Sequence, residues 1–351
     1  MIIKSCFRVL WALLLISCYQ NDTIELGKAD YPSQSVLEVA QEIKFEEVAY
    51  TKIYKLDNDL FLADIKDNNF FFAVLDSNLD LVKKILEKNN PTDSIPNYFE
   101  VSSFSSKDSN FSFILNDINQ GKVSQLSYDL ERDTYSIKEI ADYPVELNFG
   151  FVFSLDKGSI LGNVTNLDYD MDLVRIYNPL LESSETRQEL PLLFKPKPTY
   201  DDATLLYNFN TLHTGFIEKI SQDKFIYAVP SLKQIMVFNT DLEILKVLPT
   251  PFTQNDIDNY ISSNGLKTNI QDFIKDIKIT EKYIILFYHE VDKETKKIKE
   301  NAFLVYDHDL KPLAKYTVPK NLYTFEFDTQ NNQIVAVDFK NEATYIYRIN
   351  L

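Results

Sequence analysis

Cysteine and histidine are scarce in this chain: two and three, respectively, among 351 residues. Both cysteines, Cys6 and Cys18, lie at the extreme N-terminus. No CxxC pair, disulfide framework or cysteine zinc site fits that distribution, and nothing after Cys18 offers a thiol nucleophile. His213, His289 and His308 share no HExxH or similar spacing, so a histidine metal site or triad has no support. Glycine is limited to seven residues, and glycine-rich phosphate loops and GxSxG elbows are missing. Positive charge is short too: 36 Lys plus Arg stand against 52 Asp plus Glu, for a formal net charge of −16. Such a surface repels phosphate backbones and has no polybasic face for a membrane, so nucleic-acid binding is not expected. The acidity reads as solubility. Neither a metal nor another cofactor is expected.

Long apolar runs are also missing, with one exception at the start. After a short basic stretch ending at Arg8, Val9 to Ile16 (VLWALLLI) form an unbroken apolar run. A spanning helix needs roughly 20 such residues, so this one fits the h-region of an export signal instead. It ends in Leu15-Ile16-Ser17-Cys18, which resembles the lipobox of bacterial lipoproteins. The resemblance implies cleavage between Ser17 and Cys18 and lipid attachment to the Cys18 sulfur; an ordinary secretory signal containing a cysteine is the blander reading. Residues 1–17 are thus expected to be a signal peptide, 18–34 a lipidated tether without hydrophobic period, and 35–351 the folded domain. Tyr19, rather than Asp, follows the anchor cysteine, which points to the outer membrane. The lipid would be the sole membrane attachment, and the domain a monomer.

What the domain has in quantity is aromatic residues, 25 Phe and 21 Tyr. They fill short apolar runs such as Phe70 to Val74 (FFFAV), Phe225 to Val229 (FIYAV) and Tyr283 to Tyr288 (YIILFY), each bounded by Asp, Asn, Lys or Ser. Runs of this kind predict half-buried or buried β-strands. Long amphipathic helices are almost absent.

Aligning the strand ends exposes a repeat: a large apolar residue, then Asp or Asn, two turn residues, then Leu. It occurs at Leu75-Asp76 with Leu79, Tyr177-Asn178 with Leu181, Phe238-Asn239 with Leu242 and Tyr306-Asp307 with Leu310, and in degenerate form at Tyr128-Asp129 with Arg132 in the Leu slot. Each copy predicts a hairpin in which the Asx side chain bonds its own backbone and Leu opens the next strand. A β-sandwich could use the same hairpins. Copies recurring every 49 to 68 residues favour an all-β propeller, because one blade cannot bury both its faces alone. Five copies cover roughly residues 50–320, and Tyr323 to Leu351 supply a sixth blade one strand short. A strand from Ser35 to Tyr50 is expected to fill that edge and close a six-bladed ring. Thr253 to Ser263 predict a short helix inserted between blades four and five, with Thr253 as cap, Asp256 three residues on and Gly265 at the stop. Lys195 to Asp202 (KPKPTYDD) form a proline-stiffened loop.

With the lipobox at Cys18, the repeated strand–Asx-turn–Leu units and Pro91 to Glu100 (PTDSIPNYFE) between the first two units, the chain resembles the TolB-like six-bladed propeller lipoproteins of Bacteroidota. Of the Gly-Pro-Asn-Glu-like stretch common there, it keeps Pro96-Asn97 and Glu100 without the glycines. The resemblance implies architecture, and no activity that transfers to particular residues.

Two acidic groupings remain. Asp168, Asp170 and Asp172 alternate like the first half of a calcium loop, but Leu173 stands where that loop needs Gly and Pro179 where it needs Glu, so a solvated turn is expected. Asp201 and Asp202 are adjacent, and neighbours in a strand point to opposite faces. His308, inside a turn, is expected in solvent, His289 at the end of the Tyr283 strand and His213 in a polar loop. No residue is assigned a catalytic, metal or cofactor role. The expected function is a non-enzymatic, lipid-anchored envelope protein that presents a propeller face to a protein or glycan partner. The alternative is a polysaccharide hydrolase or lyase using loop carboxylates and Tyr.

Overall fold

The computed structural model describes residues 25–351 apart from positions 46–48, 58, 89–94, 96–98, 148, 156–157, 165–173, 179–189, 191–193, 195–202, 264–269 and 293. Two strands come first, β1 (Ser33–Val36) and β2 (Val39–Lys44). Blade 1 follows as β3 (Tyr50–Lys55), β4 (Phe61–Ile65), β5 (Phe70–Leu75) and β6 (Leu81–Glu87). Blade 2 is β7 (Glu100–Lys107), β8 (Asn110–Asp117), β9 (Lys122–Asp129) and β10 (Thr134–Asp142). Blade 3 comprises β11 (Phe149–Ser154), β12 (Ile160–Val164) and β13 (Val174–Tyr177). Blade 4 is β14 (Phe216–Lys219), β15 (Lys224–Val229), β16 (Gln234–Asn239) and β17 (Ile244–Leu248). Blade 5 is β18 (Ile274–Ile279), β19 (Ile284–Val291), β20 (Ile298–Tyr306) and β21 (Pro312–Thr317). Blade 6 contributes β22 (Thr324–Asp328), β23 (Gln333–Asp338) and β24 (Ala343–Arg348), with β2 as its outer edge. The fold is a six-bladed β-propeller, as the repeat spacing predicts.

The apolar runs explain the packing. In a strand, successive side chains alternate between the two faces of the sheet, and a blade has a neighbour on each face. Along β15, Phe225, Tyr227 and Val229 enter a cluster shared with blade 3, while Ile226 and Ala228 enter one shared with blade 5. On β19, Ile284, Leu286 and Tyr288 turn toward blade 4, and Ile285 and Phe287 toward blade 6. Val335 and Val337 of β23 meet Phe61 and Ala63 of β4 and close the ring. Each such large apolar side chain contributes roughly 1.5–3 kcal/mol, and strands of this kind fold only because both neighbours are present.

The Asx hairpins are real, but their leucine has a different role from the one expected. At Asp76, a carboxylate oxygen accepts from the Asn78 and Asp80 amides at 2.8 and 2.9 Å, and the Leu79 amide donates to the Asp76 carbonyl at 2.9 Å. Asn239 and Asp307 repeat this pattern. Leu79, Leu242 and Leu310 sit at φ of 65°, 58° and 59°. They close a turn in the left-handed conformation instead of opening a strand. That conformation costs a non-glycine residue about 1–2 kcal/mol, and burial of the three leucines to 6%, 6% and 2% exposure offsets it. This is how a propeller with seven glycines makes its turns. The Asp129 copy is one residue longer, with the left-handed position at Asp133 instead of the Arg132 slot. The Asn178 turn continues outside the described residues. Glu342 has the same strain, φ 50°, but is exposed. Glu342→Gly is therefore expected to stabilise by up to about 1 kcal/mol, and Leu310→Gly to destabilise by about 1–2 kcal/mol, because only the leucine loses burial. Urea unfolding of the two variants checks the opposite signs.

The insertion between blades 4 and 5 forms as predicted. Thr253 caps a helix over Gln254–Ser262, its hydroxyl accepting from the Asp256 amide while the Asp256 carboxylate accepts from the Thr253 amide. Gly265 lies outside the described residues. A second helix, Ala203–His213, was not foreseen; we call it α1 and the capped one α2. Phe209 and Leu212 are buried, and the Asn208 amide donates to the Ile261 carbonyl at 3.3 Å, joining the two helices.

The N-terminal segment corrects the expected tether boundary. β2 fills the empty edge of blade 6, pairing Val39 with Tyr347 and Lys44 with Ala343. Residues 25–34, placed in the tether by their polarity, belong to the fold. Leu26 is fully buried, Tyr31 is 3% exposed and shares a hydroxyl–hydroxyl hydrogen bond with Tyr306. β1 then adds in parallel to β21, covering that edge of blade 5.

Candidate functional site

The antiparallel order sorts the described connections between two faces. Hairpins joining strands one to two of every blade, and three to four of blades 1, 2, 4 and 5, lie on one face. Turns joining strands two to three, the links between blades, and therefore α1 and α2, lie on the other. The N-terminal segment enters on this second face: Glu25 pairs at 3.6 Å with Lys233, in the turn between β15 and β16. Lys233 is 5% exposed, pairs at 3.4 Å with Glu290 and lies 4.1 Å from the Phe273 ring centre, so the strap is fastened by a nearly buried cation.

The first strand of every blade lines the axis of the ring. Toward their C-terminal ends, on the hairpin face, these strands enclose a cavity of about 610 Å³. Lys52 and Tyr54 come from β3, Ser102 to Ser105 from β7, Phe153 and Ser154 from β11, Glu218 from β14, Lys278 from β18 and Glu326 from β22. Every blade contributes. Lys52 and Tyr54 sit two apart on β3, the spacing that keeps them on one side, while Lys55 and Lys219 also reach the cavity.

Most of the charge there is neutralised internally. Lys278 pairs with Glu326 at 3.6 Å. Burial works against its charge, but Glu326 and Asp276 outweigh that and hold the ammonium above its ordinary range. Asp276 accepts from the Thr324 hydroxyl and, at 3.1 Å, from the Phe325 amide. Lys55 pairs with Asp59 at 3.5 Å and Asp328 at 3.6 Å.

Besides the exposed Lys219, three groups are left uncommitted. The Lys52 ammonium lies 5.7 Å from the Tyr54 ring centre and 5.5 Å from that of Phe151, with no carboxylate partner. Tyr54 is 6% exposed, stacks on Phe104 at 4.8 Å, and its hydroxyl has no hydrogen-bond partner. The Glu218 carboxyl is likewise without a hydrogen bond or ion pair. Burial pushes it up to about 7, against the pull of Lys278 and Lys52. Tyr54 is buried and Lys52 and Glu218 are half-buried, and the three line one cavity, which makes it the candidate site.

The residues singled out in the sequence lie elsewhere. His213 ends α1 instead of lying in a loop; it is buried against Phe209, whose carbonyl is 2.8 Å from Nδ1, and burial lowers its pKa to about 4. His289 sits within β19, buried and bonded to Asn301. His308 is half-buried, its Nε2 3.0 Å from the Thr280 carbonyl, not free in solvent. Ser17, Cys18, Asp168, Asp170, Asp172, Asp201 and Asp202 lie outside the described residues. Among the described residues no group of three His, Cys, Asp or Glu side chains is placed to hold a metal ion. The cavity residues had one weak signal in the sequence: charges two apart in the first strand of a blade, as at Asp276 and Lys278.

No family model matches the chain, and no curated protein does. Among solved structures, it is similar to the β-propeller domain of Myceliophteria thermophila Cps50 (Swd1), at TM-score 0.46 and 10% identity over 90% of this chain and 100% of that one. The WD40 domain of Neurospora crassa Pan2 gives TM-score 0.43 and 10% identity over 87% and 90% of the two chains. A streptogramin B lyase gives 0.43 and 10% over 88% and 97%. At these identities the likeness concerns the fold alone.

Proposed function

We propose that this chain is a lipid-anchored, non-enzymatic binding protein of the bacterial envelope, of the TolB-like kind, that captures a protein or glycan partner at the mouth of its central cavity. The observation that carries the reading is the set of uncommitted groups, Lys52, Tyr54 and Glu218, in a cavity of about 610 Å³ built by all six blades. Binding sites are concave, largely preformed and furnished with a few convergent polar groups. The position of the strap supports the lipid anchor. Glu25 is fastened on the face opposite the cavity mouth, and an extended chain from Cys18 to Glu25 spans at most ~25 Å. A lipid on Cys18 would hold the helical face toward the outer membrane and leave the mouth open to incoming partners.

One observation favours an enzyme. A carboxyl pushed up to about 7 beside a tyrosine and a second carboxylate, Glu326, has the properties of a general acid–base group acting on a polysaccharide. The test uses the full-length lipoprotein in detergent. Envelope partners and a glycan panel are expected to be retained by the wild type and lost by a Lys52→Met/Glu218→Gln double variant, with bound glycans recovered uncut. Retention by the double variant would remove the cavity from the binding surface, and release of shortened glycan would establish the hydrolase or lyase reading. In the same strain, Cys18→Ala is expected to leave the membrane fraction.

A further inference from the structure

We infer that the cavity holds a small zwitterion, of the class of a dipeptide with both termini ionised, its carboxylate on the Lys52 ammonium and its own ammonium on the Glu218 carboxylate. The inference deepens the binding reading and rests on it. Of the charges along the cavity, Lys278 and Glu326 neutralise each other, Lys55 is held by Asp59 and Asp328, and Asp276 is bonded to Thr324 and Phe325. That leaves Lys52 and Glu218 as the half-buried pair without a salt bridge, with Lys219 exposed to solvent beside them. They feel each other's charge, yet they do not pair, so the space between them can admit a bridging molecule.

The choice of ligand follows from what each class would leave unsatisfied. A monoanion would neutralise Lys52 and strand Glu218 in a site now shut off from water. A cation would do the reverse. A neutral sugar would desolvate both charges and return hydrogen bonds only, which leaves each charge uncompensated. A zwitterion meets both with charge-assisted hydrogen bonds. Tyr54 adds a hydroxyl that is otherwise without a partner, in a residue 6% exposed. Between the poles, the stacked rings of Tyr54 and Phe104, with Phe151 beside Lys52, offer an apolar surface for a side chain. The volume, about 610 Å³, exceeds the needs of a single amino acid and suits a dipeptide.

Calorimetric titration of the full-length lipoprotein in detergent tests this, with leucyl-phenylalanine as probe beside its N-acetyl and C-amide forms. The free dipeptide is expected to bind at least about tenfold more tightly than either blocked form, the effect of one lost charge-assisted contact. Glu218→Gln is expected to abolish the discrimination against acetylation and leave that against amidation. Lys52→Met should do the converse, and Lys52→Arg should preserve both; each variant is first checked for a single cooperative melting transition. Equal affinity for free and blocked forms, no binding of the free dipeptide, or tighter binding of galacturonic acid or maltose would each overturn the inference. If one of those results accompanies partner capture that still depends on Lys52 and Glu218, the zwitterion is wrong and the binding reading stands; if capture ignores both residues, both fail.

Discussion

Glu218→Gln is expected to make this protein more stable at pH 8, by about 1–3 kcal/mol, and to leave it unchanged near pH 4.5. The folded state holds the Glu218 proton up to about 7, above the ordinary 4.5, chiefly because the cavity removes water from the carboxylate. Between those two values the unfolded chain releases a proton that the native chain keeps, so the native state loses relative stability as pH rises. The contribution of the neutral carboxyl is complete below pH 4.5 and gone above about 7. A shift of this size corresponds to roughly 3 kcal/mol, and partial solvent access through the mouth reduces it. Glutamine keeps the shape and carries no charge, so its advantage appears only where the wild-type carboxylate is ionised. His213 titrates with the opposite consequence. Lowered to about 4 by burial, it costs stability as pH falls from 6.5 toward 4, and this cancels in the difference between variant and wild type. Urea unfolding at a series of pH values measures the difference. A variant destabilised equally at every pH would mean that the carboxylate has structural partners, and would take away the uncommitted anion on which the site depends. The expected gain is what a functional group held against stability should show when removed.

Leu26→Ala is expected to cost about 2–5 kcal/mol, the range for emptying a fully enclosed leucine site. Its position makes the result informative, because the residue lies in a stretch whose sequence reads as linker. A chain beginning at Glu25 should match the full mature chain within about 0.5 kcal/mol. One beginning at Glu38 should be markedly weaker, having lost Leu26, Tyr31, Leu37 and the β1–β21 pairing while keeping the closing strand β2. Denaturant midpoints of the three proteins decide the matter; equal stability for chains starting at 25 and 38 would return residues 25–37 to the tether. Under the proposed lipid anchor, the segment would also limit how far a lipid on Cys18 could lie from the helical face.

Much of the architecture was legible before any coordinates. The Asx turns at Asp76, Asn239 and Asp307 carry their own chemistry in four or five residues, and the same is true of the Thr253–Asp256 cap. The missing sixth-blade strand was legible as a shortage, because an unpaired sheet edge has to be covered by something. Helix α1 was missed even though Leu205, Phe209 and Leu212 follow helical spacing; its aromatic residues match strand preference, and its packing against α2 and the turn at Pro230–Leu232 overrides that preference. The leucines of the hairpins were found but misplaced, since a left-handed leucine is strained alone and is tolerated only where a core receives it.

The division between sequence and tertiary structure follows from the range of the interactions concerned. Strand period, turn chemistry, helix caps and the number of blades rest on contacts between residues a few positions apart, and the amino-acid order determined them. Which side chains face the axis, and which charges there find a partner, rests on residues as distant as Lys52, Glu218 and Glu326. Alternation along a strand tells which two faces its residues occupy, but not what stands opposite either face. That was decided only when six blades closed into a ring, pairing Lys278 with Glu326 and leaving Lys52 and Glu218 apart in the same cavity.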